Sequence, residues 1–269
     1  GVASLAMFAA GAFAADGHSP RADAGRLATL EAGDLAAGFQ AGPDNPLVGL
    51  EGRAALLRRL GETLLAARLD RPGAIFDELA ATAAGGPLPA RAILVTLLRR
   101  LGPIWPGRVV LGGVNLGDCW RHPGIRRADA TDGLIPFHKL SQWLAYSLIE
   151  PLQAAGIAVT ELGALTGLPE YRNGGLFLDM GVIEARDPAT LAAEYAPGDG
   201  LVVEWRALTV ALLDAVAPLV RQRLGLAEAE FPLARVLEGG TWAAGRRVAA
   251  ERRADGGPPV RVASDGTVF

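Results

Sequence analysis

The chain has 269 residues and a mass of 27.9 kDa, with 50% hydrophobic and 20% charged residues, a formal net charge of −3 and a pI near 5.7. That is enough apolar sequence for a sizeable core and one or two domains, and the charge balance gives no electrostatic case for binding nucleic acid. The single cysteine, Cys119, excludes an internal disulfide and fits a reducing, cytoplasmic compartment; with only three histidines beside it, the chain is short of ligands for a zinc site.

The opening stretch, Gly1 to Ala15, is apolar and ends in Ala12-Phe13-Ala14-Ala15 like the end of a secretory signal. It lacks a basic start and carries Gly11 inside the run, so it reads as internal sequence of a longer parent chain. No other segment offers the roughly 18 uninterrupted apolar residues of a membrane-spanning helix, and no membrane partner is expected. Apolar residues then recur at helical spacing over Leu50–Arg68, Ile75–Ala84 and Ala90–Leu101. Arg108–Leu111 reads as a short strand.

Chemistry-bearing side chains concentrate between Asn115 and Asp199. In Gly117-Asp118-Cys119-Trp120-Arg121-His122-Pro123, the expected role of Asp118 and Arg121 is an ion pair or a contact to a polar ligand. Thr131-Asp132-Gly133 follows, with Asp132 able to cap, turn or bind substrate. Next comes Lys139, the one lysine among 26 basic residues. An ammonium can lose its proton or serve as a compact point charge, where a guanidinium stays charged and planar, so a lone lysine in an arginine-rich chain marks a place where arginine fails. Pro136 suits the first turn of a helix running to about Ala155. Phe137, Leu140, Leu144, Leu148 and Leu152 form its apolar face, with Lys139, Gln142, Trp143, Tyr146 and Glu150 in a second stripe. Free amides at the start of that helix oppose a lysine charge. They fit either a phosphate bound with Lys139 and His138 or a lysine of lowered pKa; the plainer alternative is a polar face meeting water or another helix.

Gly167-Leu168-Pro169-Glu170-Tyr171-Arg172-Asn173-Gly174-Gly175 reads as a tight loop, with Glu170 a candidate base or nucleophile and Arg172 and Asn173 suited to a phosphate or hydroxyls. A solvent-facing turn is the structural alternative. Leu176–Ile183, containing Asp179, reads as a strand, and Glu204–Leu224 as a long helix. The charged, then Gly/Pro-rich stretch Arg246–Pro259 reads as an exposed arm, and the residues around Ser264-Asp265-Gly266 as a terminal hairpin. The expected architecture is mainly α, with small β additions and a C-terminal hairpin. Residues 1–245 would form a helical domain and residues 246–269 an arm and hairpin.

Three segments carry a family resemblance: Pro136-Phe137-His138-Lys139-Leu140-Ser141-Gln142-Trp143-Leu144, Leu168-Pro169-Glu170-Tyr171-Arg172-Asn173-Gly174-Gly175, and the ending from Glu238-Gly239-Gly240-Thr241-Trp242 to Asp265-Gly266-Thr267-Val268-Phe269. Over essentially the whole chain the sequence resembles the fungal and bacterial uracil catabolism protein four family, whose members are longer at the N-terminus. The resemblance implies a step at ribosylurea or its phosphate, in a route that opens the pyrimidine ring and ends in urea. Phe137-His138-Lys139 and Glu170-Tyr171-Arg172 are also faintly similar to elements of the queuosine-nucleotide glycosylase (queuine salvage) family, which has a helical fold like that of DNA glycosylases; here Glu170 stands where that family has Asp.

Releasing urea from ribosylurea cleaves an N-glycosidic bond through an oxocarbenium-like transition state, which a carboxylate stabilises while it or another directs water to the anomeric carbon. The expected catalytic group is Glu170 with Asp132 or Asp179 as second carboxylate, Lys139 and Arg172 holding a phosphate, and Trp143 or Tyr146 in the pocket wall. A Schiff base at Lys139 is a subsidiary possibility. The chain is thus expected to be an N-glycosidase-type hydrolase acting on a small ribosyl-urea or nucleotide-derived substrate, with no cofactor and no metal. The competing class is a non-catalytic helical binding or scaffold protein for the ring-opening pathway, which would show an exposed apolar patch in place of a polar pocket.

Overall fold

The computed structural model describes residues 1–263, and the contacts among them gather into two compact units. Of the described residues, 1–86 and 95–107 form the first, and 87–94 and 108–263 form the second.

The first unit is helical: α1 (Val2–Ala9), α2 (Ala24–Ala28), α3 (Ala32–Gly38), α4 (Leu50–Ala66) and α5 (Ala74–Ala83). Met7, Leu30, Leu35 and Ala54 make its small core. Helices α2 and α4 touch backbone to backbone at Gly61, where a Cβ would lie 2.3 Å from the Ala28 nitrogen. Residues of α6 (Ala90–Leu101) are shared between the two units.

The second unit is built on α7 (Lys139–Ala154), α8 (Tyr171–Asp179), the 25-residue α9 (Gly200–Leu224), α10 (Leu233–Val236) and α11 (Ala243–Arg252). A π-helical turn, Leu237–Trp242, joins the last two. Its β structure among the described residues consists of two-stranded pairs. β1 (Leu88–Pro89) lies parallel to β6 (Val159–Thr160), and β2 (Val110–Leu111) forms a hairpin with β3 (Val114–Asn115). β4 (Cys119–Arg121) runs antiparallel to β5 (Leu134–Pro136), and β7 (Glu194–Tyr195) pairs parallel to β8 (Arg261–Val262). The core joins Phe177 of α8 to Leu213 and Ala217 of α9 and to Leu233, Val236 and Leu237. Glycine permits the close approach of α8 to α9: a Cβ on Gly174 would meet Thr209 Oγ1 at 2.6 Å and Trp205 Cε2 at 2.8 Å.

The mainly α class and the helices expected over Leu50–Arg68, Ile75–Ala84, Ala90–Leu101 and Glu204–Leu224 are present, the last starting earlier, at Gly200. Three expectations need correction. Pro136 ends a strand instead of starting a helix: it pairs with Cys119, and the helix begins only at Lys139, after His138 adopts a left-handed conformation with φ 48°. Leu176–Ile183 is not a strand, because Glu170 caps a helix that runs through Gly174 and Gly175 to Asp179. The stretch beginning at Arg246 is not an exposed arm throughout, since it continues α11 to Arg252 with Val248 and Ala249 buried. The expected hairpin around Ser264-Asp265-Gly266 lies outside the described residues.

Candidate active site

The turn before β4 places Asp118 beside the start of α7. Its carbonyl accepts the backbone N–H groups of Phe137 (2.9 Å) and His138 (3.1 Å), and its carboxylate accepts the Lys139 N–H at 3.0 Å. Trp120 Nε1 donates to Oδ1 at 2.7 Å, and Arg206 of α9 grips both oxygens at 2.8 Å each. Arg206 is only 1% exposed; its Nε donates to the Pro169 carbonyl at 3.2 Å and its guanidinium lies 4.2 Å from the centre of the Phe137 ring. Burial alone would push the Asp118 carboxyl up, but the paired guanidinium outweighs it and holds the group below the usual carboxylate range. One aspartate–arginine pair thereby ties together the β4 turn, the start of α7, α9 and the segment leading into Glu170.

Lys139, the first residue of α7, is buried. Burial and the neighbouring Arg206 charge lower its pKa to about 8, against the opposing pull of Glu170 and Asp118. The helix N-terminus is a further unfavourable place for a cation. His138 just before it is also pushed down by burial, with Asp118 acting in the opposite direction.

Glu170 is the N-cap of α8. Its two carboxylate oxygens accept the N–H groups of Asn173 at 2.6 Å and Arg172 at 2.8 Å, which is why the helix starts here. Burial lifts its pKa above the usual glutamate value, opposed by those two amides and by the charges of Lys139 and Arg172. Asn173, 1% exposed, closes the turn by donating from Nδ2 to the Leu168 carbonyl at 3.1 Å. Its Oδ1 accepts the Thr241 hydroxyl at 2.8 Å. Arg172 reaches the Gly256 carbonyl at 2.8 Å, its guanidinium 4.7 Å from the centre of the Tyr171 ring.

The polar stripe of α7 splits. Lys139 and Gln142 face inward, and Gln142 Oε1 accepts the Thr166 N–H at 3.3 Å while Tyr146 donates to the Thr166 carbonyl at 3.1 Å. Burial raises the Tyr146 pKa, so the phenol stays protonated as that donor. Trp143 is 53% exposed and turned away from this interior.

Lys139 and Glu170 are both buried and are linked through Arg206, which grips Asp118 beside the Lys139 N–H and also holds the carbonyl of Pro169 next to Glu170. Asp132 is not among them: it sits in a surface turn, accepting the Arg127 N–H at 2.8 Å. Asp179 is held by Arg253 through two bonds of 2.7 and 2.5 Å and lines a cleft of about 480 Å³ whose walls include neither Lys139 nor Glu170. Sequence reasoning gives Asp118 an ion pair with Arg121 or a contact to a polar ligand, and it does not single out Arg206, its partner in the structure. Arg121 instead donates to the Asp132 carbonyl. The available signal was the phase of Arg206, which shares the buried face of α9 with Val202, Val203, Thr209 and Leu213. Among the described residues no group of three or more His, Cys, Asp or Glu side chains could hold a metal ion, and no helix is long and apolar enough to cross a membrane.

The sequence family described as "Protein of unknown function (DUF1688)" matches residues 1–269. Two relatives align with the whole chain. "Protein urg3" of Schizosaccharomyces pombe (strain 972 / ATCC 24843) is 42% identical over 273 residues, 66% of its own length. "Uracil catabolism protein 4" of Lachancea kluyveri is 36% identical over 301 residues, 68% of its length. The chain thus spans about two thirds of the length of each.

Proposed function

The chain belongs to the DUF1688 family, and from that premise we propose that it acts in uracil degradation, as the name of its Lachancea kluyveri relative suggests, by cleaving the N-glycosidic bond of ribosylurea or its 5-phosphate to release urea. The observation that carries this reading is that Glu170 and Lys139 are both buried at the Asp118–Arg206 pair, which bonds to the Lys139 N–H on one side and to the Pro169 carbonyl next to Glu170 on the other. N-glycoside cleavage builds positive charge on the ribose ring and needs a fixed negative charge to meet it. Glu170 supplies that charge from a helix N-cap, preorganised by two main-chain amides.

In this reading the C1–N bond breaks with its electron pair on the urea nitrogen, Glu170 stabilises the oxocarbenium ion and takes a proton from the attacking water, and that proton passes on to the urea nitrogen; its raised pKa makes Glu170 a stronger base than an exposed glutamate. Lys139 contributes a compact positive charge that keeps Glu170 ionised and orients a hydroxyl or phosphate of the substrate. Asp118, ionised and immobilised by Arg206, fixes the backbone at Lys139 through the 3.0 Å bond to its N–H. The faint likeness to nucleotide glycosylases, carried by Phe137-His138-Lys139 and Glu170-Tyr171-Arg172, supports the same reaction class. The test is incubation of the full protein with ribosylurea and, separately, ribosylurea 5-phosphate, assaying free urea. Enzyme-dependent urea from either substrate supports the reading. No urea from either at high enzyme concentration overturns it and favours the non-catalytic binding role.

A further inference from the structure

Helices α10 and α11 do not form one regular helix: the six residues Leu237-Glu238-Gly239-Gly240-Thr241-Trp242 between them wind as a π turn. Such turns insert a residue into the helical register and re-aim the side chains that follow, and they recur at functional sites. This one is weakly supported by its own residues. Gly239 and Gly240 have low helix propensity, and a Cβ on either would meet nothing within 4 Å, so crowding does not account for them. The turn is anchored from outside. Thr241, 7% exposed, donates its hydroxyl to Asn173 Oδ1 at 2.8 Å, and one turn further on Gly245 lies so near α8 that a Cβ there would meet the Arg172 carbonyl oxygen at 2.2 Å. Arg172 and Asn173 are the two residues whose N–H groups hold the Glu170 carboxylate.

We propose that Thr241 is a positioning residue: the π turn aims its hydroxyl at Asn173, and through Asn173 it fixes the orientation of the Glu170 carboxylate. This rests on the catalytic reading of Glu170 for its effect on turnover, but not for its effect on the carboxylate itself. The Asn173 side chain, locked by Thr241 on one side and the Leu168 carbonyl on the other, holds the main chain of residues 168–173 in the shape that presents its own N–H to Glu170 at 2.6 Å. Loss of the hydroxyl frees one end of that lock.

The test compares Thr241→Val, close in shape but without the hydroxyl, with Thr241→Ala and with Thr241→Ser, which retains it. Two readouts are taken on each folded variant: the titration of the Glu170 carboxyl carbon by 13C NMR, and kcat, KM and the pH profile of urea release. A loosened Asn173 N–H withdraws stabilisation from the ionised carboxylate, so in the valine and alanine variants the Glu170 titration and the acidic limb of kcat move to higher pH. In the same two variants kcat falls about 3- to 10-fold, the worth of one hydrogen bond, with KM within twofold. Serine restores wild-type behaviour in both readouts. A Glu170 titration in the valine and alanine variants that superimposes on wild type overturns the proposal, as does a serine variant as impaired as valine. A shifted titration in a protein that releases no urea would uphold the positioning role and overturn the glycosidase reading instead.

Discussion

Arg206→Met removes a guanidinium that is 1% exposed while leaving the Asp118 carboxylate, itself 13% exposed, in place. Two 2.8 Å charge-assisted bonds vanish, while Asp118 keeps Trp120 Nε1 and the Lys139 N–H as donors. Breaking a buried ion pair on one side costs about 3–5 kcal/mol, mostly because the surviving charge stays buried. The donors that remain place this case at the low end, near 3 kcal/mol. That is a large fraction of the roughly 5–15 kcal/mol that holds a typical protein folded, and at about 2–4 °C per kcal/mol it corresponds to a Tm about 6–12 °C lower. Guanidinium chloride denaturation and calorimetry read it out. Asp118→Asn combined with Arg206→Met leaves no uncompensated charge, so the double variant loses less stability than the two single changes added together. A single variant costing under about 1 kcal/mol, with a strictly additive double variant, would show that the pair does not organise this site.

Lys139→Met probes the buried ammonium. Its folded pKa of about 8 lies below the unfolded value, so the unfolded chain holds the proton more tightly. Wild-type stability relative to the variant is therefore flat below pH 8, rises by up to about 3 kcal/mol as pH climbs toward the unfolded lysine value, and is level above it; a pH-independent difference refutes the shift. Lys139→Arg keeps partial turnover with a raised KM, and borohydride added during turnover traps no adduct at Lys139; an adduct would establish the Schiff base in place of the electrostatic role. Gly174→Ala drives a methyl group into Thr209 and Trp205 and costs about 1–3 kcal/mol by denaturation. Gly33→Ala in α3, where a Cβ meets nothing within 4 Å, is neutral or stabilising.

Long amphipathic helices were legible because their period is a property of the local sequence: α6 runs from Ala90 to Leu101 as its apolar spacing indicates. The errors fall where a distant partner sets the local structure. Leu176-Phe177-Leu178 looks like a buried strand until Glu170, whose side chain caps the preceding turn, commits the segment to a helix. Gly174 and Gly175 look like loop residues, yet Gly174 supplies the clearance for Trp205 and Thr209, about thirty residues further along the chain. Lys139 and Glu170 were identifiable by residue type, the one as a lone lysine and the other as a carboxylate beside a proline. Asp118 is visible in its motif, which suggests an ion pair with Arg121 or a contact to a polar ligand; its bond to Arg206 spans 88 positions, and no spacing rule covers such a distance. Helical phase puts Trp143 or Tyr146 in the pocket wall, but Trp143 is exposed because the inward direction of α7 is set by Lys139, Gln142 and Ala145.

Glu170→Gln keeps the size of the side chain and one oxygen for the Asn173 or Arg172 N–H, while removing the charge. Losing half of an N-cap costs about 0.5–2 kcal/mol, and relief from burying a charge offsets part of it, so the variant folds and its Tm confirms this. Urea release from ribosylurea or its 5-phosphate is then measured for wild type and variant side by side. A catalytic Glu170 predicts a fall in kcat of about two orders of magnitude or more with KM changed only a few-fold; a folded Glu170→Gln protein that releases urea at close to the wild-type rate contradicts it.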